Sequence, residues 1–283
     1  MARLGRTPYR PSPLMDIEAF IERFEKGLEA MEPLPLAYAR RRYDRLCASF
    51  APPDPVGMTR IDDQVAGTKV RRFRPARARS GSVIYLHGGG FTLGSLESHH
   101  GIAANLAERL GREVVSVDYP LAPEHRFDTM VVACQRVIDT VRPVGVMGDS
   151  AGARLALEVC HSSLSGLVYP PVNGLNLDTL GPDAPLLSRQ DVLALAPLCP
   201  ALSSAIPTPR PRGPVEVLSV EHDPLTAPLI QEIVRWRRAG GDIGDRVAPG
   251  MVHAALHAHD TLWNMKHAWQ DFCQACRRHL DEG

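Results

Sequence analysis

The segment Val146-Met147-Gly148-Asp149-Ser150-Ala151-Gly152 constrains this chain more than any other, because it places a serine on a sharp turn between two regular elements. A short apolar strand, Val144 to Met147, runs into Gly-x-Ser-x-Gly, and the helix-forming run Ala153 to Cys160 follows. Strand, elbow and helix in that order are the context in which this pattern presents a nucleophile. Gly148 and Gly152 leave room for a strained turn, where a side chain at either position would meet a neighbouring strand or helix. Ser150 then stands clear of the sheet, with its backbone at the positive end of a helix.

A turn of this kind needs a sheet behind it, and the rest of the chain reads as one. Strands are expected at Ser82 to Leu86, Glu113 to Val117, Gly166 to Tyr169, Val215 to Val220 and near Ile243 to Val247. Helices are expected between them at Ser98 to Leu110, Phe127 to Val141, Leu225 to Arg238 and, last, Ala255 to Leu280. Such alternation implies an α/β fold with a mostly parallel central sheet covered by helices on both faces. Two antiparallel strands, Met58 to Asp62 and Lys69 to Arg74, precede it, joined by a turn near Gly67. Ile17, Phe20, Ile21 and Phe24 recur at helical steps, a second helical segment runs from Ala37 to Leu46, and the proline-rich run Ala51 to Pro55 ends the pair.

The expected organisation is one domain over 1–283, with a helical cap in two segments, approximately 1–55 and the proline-rich stretch 171–213; residues 1–13 are an Arg/Pro-rich lead. Lys and Arg number 32 against 32 Asp and Glu, so no net field favours nucleic acid. The first residues lack an apolar signal core, and no apolar run reaches the about 20 residues of a membrane span. A cytoplasmic location without membrane insertion is the expectation. Six scattered cysteines show no disulfide framework, so free thiols are expected, including Cys273 and Cys276 one turn apart.

Two kinds of chemistry complete the elbow. Upstream, a strand ends in His87-Gly88-Gly89-Gly90-Phe91, where consecutive glycines let backbone N–H groups face outward. With the N–H of Ala151, such donors can bind the oxyanion that forms when a serine attacks an acyl carbon. Downstream, Asp223 follows one strand and His253 the next, 30 residues apart, about one strand–helix–strand unit. Both therefore emerge at the carboxyl edge of the sheet beside Ser150, in the chain order Ser, Asp, His of α/β-hydrolases. A serine needs a base, and the base needs a group that fixes its tautomer.

These blocks, His87 to Gly90, Gly148 to Gly152, Asp223-Pro224-Leu225 and Gly250-Met251-Val252-His253, resemble the signature set of the hormone-sensitive-lipase-like branch of the α/β-hydrolases. Asp118-Tyr119-Pro120-Leu121-Ala122-Pro123-Glu124-His125 is similar to a further block of that branch. The matches span roughly 80–255, and the helical segment at 15–50 fits the branch's N-terminal cap. The resemblance implies a short-chain acyl or acetyl esterase working through an acyl-serine: Ser150 nucleophile, His253 base, Asp223 orienting acid, and Gly88, Gly89 and Ala151 as oxyanion donors. No cofactor or metal is implied, and the expected partner is a small ester or acetylated molecule. Within the Asp118 block the implied task is bracing the glycine loop. Ala153 stands where the branch often has a further glycine, and Ala254 and Ala255 follow His253 where an aromatic is common. The stretch from Ser150 to Asp223 is short for the branch, which implies a more open pocket that accepts bulkier alcohols.

Competing readings stay beside these. An N-acetyl amide deacetylase would use the same groups, and a ligand-binding member without activity would lack the triad histidine, whereas Ser150, Asp223 and His253 are all present here. His222 neighbours Asp223 but leaves the same strand end and cannot easily reach back. His253, His257 and His259 have a spacing that could hold a metal, yet the triad already uses His253. His99 and His100 are read as opening a helix near the pocket, Phe20 and Phe24 as lid packing, and the terminal helix and a sheet edge as able to support a homodimer.

Overall fold

The computed structural model describes residues 14–160 and 163–282; the Arg/Pro-rich lead at 1–13 lies outside the described residues. Eight strands form one sheet: β1 Thr59–Val65, β2 Thr68–Arg74, β3 Arg79–Leu86, β4 Arg112–Val117, β5 Gly145–Asp149, β6 Leu164–Val168, β7 Val215–His222 and β8 Ile243–Val252. Their order is β1-β2-β4-β3-β5-β6-β7-β8, with β1/β2 and β2/β4 antiparallel and every other pair parallel. The main helices are α1 Ile17–Glu29, α2 Leu36–Ala48, α3 His100–Leu110, α4 Phe127–Val141, α5 Ala151–Val159, the short α6 Arg189–Leu193, α7 Thr226–Arg238 and α8 Trp263–Glu282.

Burial explains which strands are central. All five residues of β5 and of β6 are buried, Asp149 and Ser165 included, as are Val83 to Leu86 of β3, as expected of central strands with helices on both faces. β1 is the opposite case: Asp62, Asp63 and Arg60 lie along an exposed edge, where charge discourages pairing with another chain. Alternation along β3 divides the core, Val83 and Tyr85 facing one way, Ile84 and Leu86 the other. The first face packs with α3 and α8, the second with α4, α5 and α7.

The N-terminal helices join the α3/α8 face. Phe20, Phe24 and Phe50 form a buried aromatic knot with centroid separations of 5.0–5.9 Å, and Tyr43 of α2 packs edge-on against Phe24. Between β6 and β7 the chain makes α6, started by a capping box of Ser188 and Asp191, and a 3₁₀ turn at Pro200–Ser203.

Two elements differ from the sequence pattern. The last helix starts at Trp263, not Ala255, because Ala254 takes a left-handed conformation (φ 65°) and Ala255–Ala258 tighten into a 3₁₀ turn that carries His257 into the core. β8 runs on to Val252, because a register shift between Val220 and His222 of β7 lets His222 pair with Val252. That extension delivers His253 to the sheet edge.

From β3 the chain turns one way to β4 and then crosses to β5 on the other side, so the strand order reverses at β3/β5. A crevice opens at the carboxyl ends of parallel strands at such a reversal. The glycine loop after β3 and Ser150 after β5 both lie there.

Candidate active site

Ser150 occupies the single residue between β5 and α5, with φ 50° and ψ −120°. Such a conformation costs a non-glycine residue about 1–3 kcal/mol, and the surroundings impose it. Its N–H donates to the carbonyl of Val168 at 2.9 Å, and its carbonyl accepts from Arg154 at 3.0 Å, locking it between β6 and α5. The flanking glycines are needed for contact: a Cβ on Gly148 would stand 2.6 Å from the carbonyl oxygen of Leu86, and one on Gly152 would overlap Leu86 and His87 oxygens.

His253 follows β8 directly. Its Nε2 lies 3.0 Å from Ser150 Oγ and its Nδ1 lies 2.7 Å from Asp223 Oδ2. Asp223 follows β7 with a fully buried side chain, and its other oxygen, Oδ1, accepts the N–H of Leu225 at 2.8 Å. Asp223 accepts from Nδ1, so that nitrogen carries the ring proton and Nε2 is left to accept the hydroxyl proton of Ser150. The ring rests at 4.4 Å from Tyr169, whose own hydroxyl is held protonated by burial and by Asp149 and Asp223 nearby. His222 is exposed and takes no part in the contacts of Ser150.

Among the expected oxyanion donors, Gly89 and Ala151 have N–H groups that find no acceptor among the described residues. Gly88 is a correction: its N–H donates to Asp149 Oδ1 at 2.9 Å and is not free for a ligand. The N–H of Gly90 is free in its place, at φ 60°. Consecutive residues of positive φ, Gly89 at 115° and Gly90 at 60°, are the backbone pattern of an anion cradle. The Asp118 block does brace this loop: Tyr119 Oη donates to the His87 carbonyl at 2.6 Å with its ring stacked on that imidazole, and Ala122 N–H donates to Phe91. Arg40 of α2 adds a clamp, donating to the carbonyls of Thr92 and Ala122 and to Glu124.

Burial drives the imidazole of His87 down to about 3, helped by His99 nearby, and burial does the same to His257. Both are neutral at physiological pH. His257 faces Cys47, His253 faces the serine, and no cluster of three or more His, Cys, Asp or Glu able to hold a metal exists among the described residues. Cys273 and Cys276 are buried, and burial raises both thiols. His99 is the N-cap residue of α3 and His100 its first, but His99 points to Asp149 rather than capping the helix. Asp149 is the neighbour that the sequence did not single out. The available signal was its place as the last residue of a buried strand, where a carboxylate must find donors.

A family model described as alpha/beta hydrolase fold matches residues 83–257, more than half of the chain. The chain belongs to the α/β-hydrolase fold family. An esterase of Acinetobacter venetianus is 35% identical over 121 residues, covering 40% of this chain and 39% of that protein. An ethyl acetate hydrolase of Pseudomonas putida is 32% identical over 190 residues, 55% of this chain and 60% of that one. The α/β-hydrolase thus aligns with 39% and 60% of the length of these curated relatives. In fold, it superposes on an esterase from the bacterial hormone-sensitive lipase family with a TM-score of 0.77 at 20% identity, covering 94% of this chain and all of that one. The α/β fold read in the sequence agrees with these matches. Among the described residues, no helix is long and apolar enough to cross a membrane.

Proposed function

We propose that this α/β-hydrolase is a serine carboxylic ester hydrolase for short acyl groups. The observation that carries the reading is the pair of contacts at His253, 3.0 Å to Ser150 Oγ and 2.7 Å to Asp223 Oδ2. In the proposed reaction, Ser150 Oγ attacks the acyl carbon while His253 Nε2 takes its proton. Asp223 stabilises the resulting imidazolium. The carbonyl oxygen becomes an oxyanion held by the N–H groups of Gly89, Gly90 and Ala151. His253 then gives its proton to the leaving alkoxide, the alcohol departs, and an acyl-serine remains. Water, deprotonated by the same imidazole, cleaves it through a second oxyanion and restores Ser150.

Preference for short acyl groups is supported by the relative named ethyl acetate hydrolase. The proposed organisation is a single α/β-hydrolase unit whose cap includes α1 and α2 and the segment between β6 and β7. Hydrolysis of ethyl acetate and p-nitrophenyl acetate, with fluorophosphonate labelling, tests the reading. Wild type is expected to turn over both esters and to take the label, and Ser150→Ala to lose the label and up to ~10⁶-fold in kcat. A folded wild type that neither hydrolyses esters nor is labelled would overturn it.

A further inference from the structure

Asp149 takes no part in the proton transfers above, yet it is the carboxylate enclosed directly beside the nucleophile. It is 3% exposed, and three separate elements supply its partners. Its Oδ1 accepts from Tyr85 Oη of β3 at 2.5 Å and from the N–H of Gly88 in the glycine loop at 2.9 Å. Its Oδ2 stands 3.3 Å from His99 Nε2 at the start of α3. Gly88 has no side chain because none would fit: a Cβ there would lie 3.1 Å from Asp149 Cγ and overlap Oδ2. Behind His99, the ring of His257 approaches edge-on at 4.7 Å, and its Nε2 faces Cys47 Sγ of α2 at 3.5 Å. Water is therefore shut out on that side.

We infer that Asp149 is a positioning residue, which by holding the N–H of Gly88 fixes the rotation of the glycine loop and aims the next two N–H groups at the acyl oxygen. This rests on the hydrolase reading. The reasoning is geometric. Each peptide plane is rigid, so fixing the Gly88 N–H fixes one end of a run whose two following residues have positive φ. The two peptides that follow have holds of their own, the Gly88 carbonyl 2.9 Å from His87 Nδ1 and the Gly89 carbonyl accepting from the N–H groups of Leu93 and Thr92 at 2.9 and 3.2 Å, so the tether at Gly88 sets where this run starts and at what angle it enters the crevice. The carboxylate is also the form of Asp149 that persists: burial pushes its pKa up, but attraction to His99 and the Tyr85 hydroxyl more than offset this and hold it well below the usual range. It therefore remains an acceptor wherever the enzyme is folded.

Two variants separate aiming from mere packing. Asp149→Asn keeps an acceptor oxygen for Gly88 and Tyr85 with its amide toward His99, but the bond to Gly88 loses its charge assistance. A fall in kcat of about tenfold is expected, with KM within about threefold. Asp149→Ser is too short to reach Gly88, and a fall of roughly 10²–10³ in kcat is expected, the cost of one oxyanion donor. Phenylboronic acid, which forms a tetrahedral adduct on the serine, supplies the readout that packing would not move: its Ki should rise by the same factor as kcat falls. Should Asp149→Ser fail to fold, Asp149→Asn carries the test alone. Wild-type kcat in the folded variants, or a loss carried by KM with an unchanged boronate Ki, would overturn the role of Asp149 and leave the hydrolase reading standing. A wild type without esterase activity or serine labelling would remove both.

Discussion

Replacing Asp223 by Asn should damage this site more than the loss of one charge suggests, because the backbone of Leu225 decides which way the new amide faces. Asp223 Oδ1 accepts the Leu225 N–H at 2.8 Å while Oδ2 accepts from His253 Nδ1 at 2.7 Å. An asparagine that keeps its oxygen on Leu225 must turn its NH₂ toward His253. The imidazole then has to accept at Nδ1 and carry its proton at Nε2, where it can no longer take one from Ser150. The opposite rotamer restores the tautomer but sets NH₂ against N–H inside a fully buried pocket. Leaving two buried donors unpaired costs roughly 1–3 kcal/mol each, or about 10²–10⁴ in the population of the competent state at 1.36 kcal/mol per decade. Loss of the carboxylate opposite the imidazolium adds to this, so kcat for p-nitrophenyl acetate is expected to fall about 10⁴-fold, with KM and melting temperature little changed. Steady-state kinetics on wild type and variant, with spontaneous hydrolysis subtracted, decide it. A correctly folded Asp223→Asn enzyme within thirtyfold of wild type would refute the tautomer reasoning.

Other outcomes follow from the packing. Gly152→Ala would drive a methyl group into the carbonyl oxygens of Leu86, the last residue of the central strand β3, and of His87, which Tyr119 holds in place, so a loss of about 3 kcal/mol or more is expected. In a chain of this size that lowers Tm by roughly 10 °C; thermal melts check it, and an unchanged Tm would show that the elbow is looser than described. Acid should destabilise the fold well before its carboxylates titrate. Burial lowers His87 and His257 to about 3 and His259 to about 4 from 6.5, so these rings are neutral when folded and protonated when unfolded below 6.5. Stability they contribute is complete above pH 6.5 and falls by roughly 2 kcal/mol per ring between pH 7 and pH 5; urea midpoints at the two values measure it, and equal midpoints contradict it. The short Ser150 to Asp223 stretch leads us to propose an open alcohol side: acetate esters of bulky and small alcohols should turn over within about tenfold of each other, and a strong preference for the small alcohol would count against this.

Where chemistry dictates residue type, the site was legible. A serine flanked by residues small enough for a crowded turn, followed by an aspartate and a histidine at the ends of later strands, leaves few readings, and Ser150, Asp223 and His253 do meet at one edge. The sheet was legible because β3, β5 and β6 each carry a short apolar stretch, Val83 to Leu86, Val146-Met147 and Leu167-Val168. What stayed hidden depended on pairing across the chain. Whether Gly88 or Gly90 has a free N–H is decided by Asp149, whose contact with Gly88 bridges 61 residues and leaves no trace in a local pattern. The reach of β8 to Val252 depends on an irregularity in its partner β7, and the late start of α8 on one left-handed alanine. Local propensity favours continuing both elements in the simpler way, and tertiary contacts override it.

The register of the sheet also explains why an acid at position 149 and its donors come as a set. Tyr85 pairs with Met147 and Leu86 with Gly148, so the next step along both strands brings His87 beside Asp149. Side chains alternate faces along a strand, and Met147 lies in the α3/α8 core with Tyr85. Asp149, two residues on, must therefore point into that same face, away from the crevice, while the positive φ of Ser150 lifts the next side chain to the other side. An apolar residue at 149 would pack there without difficulty, but it would leave the Gly88 N–H and the Tyr85 hydroxyl buried and unpaired, at roughly 1–3 kcal/mol each. A carboxylate satisfies both, and its other oxygen stands 3.3 Å from His99 Nε2 at the N-cap of α3. The strained serine and the enclosed acid are thus two consequences of one strand ending at the point where the sheet reverses.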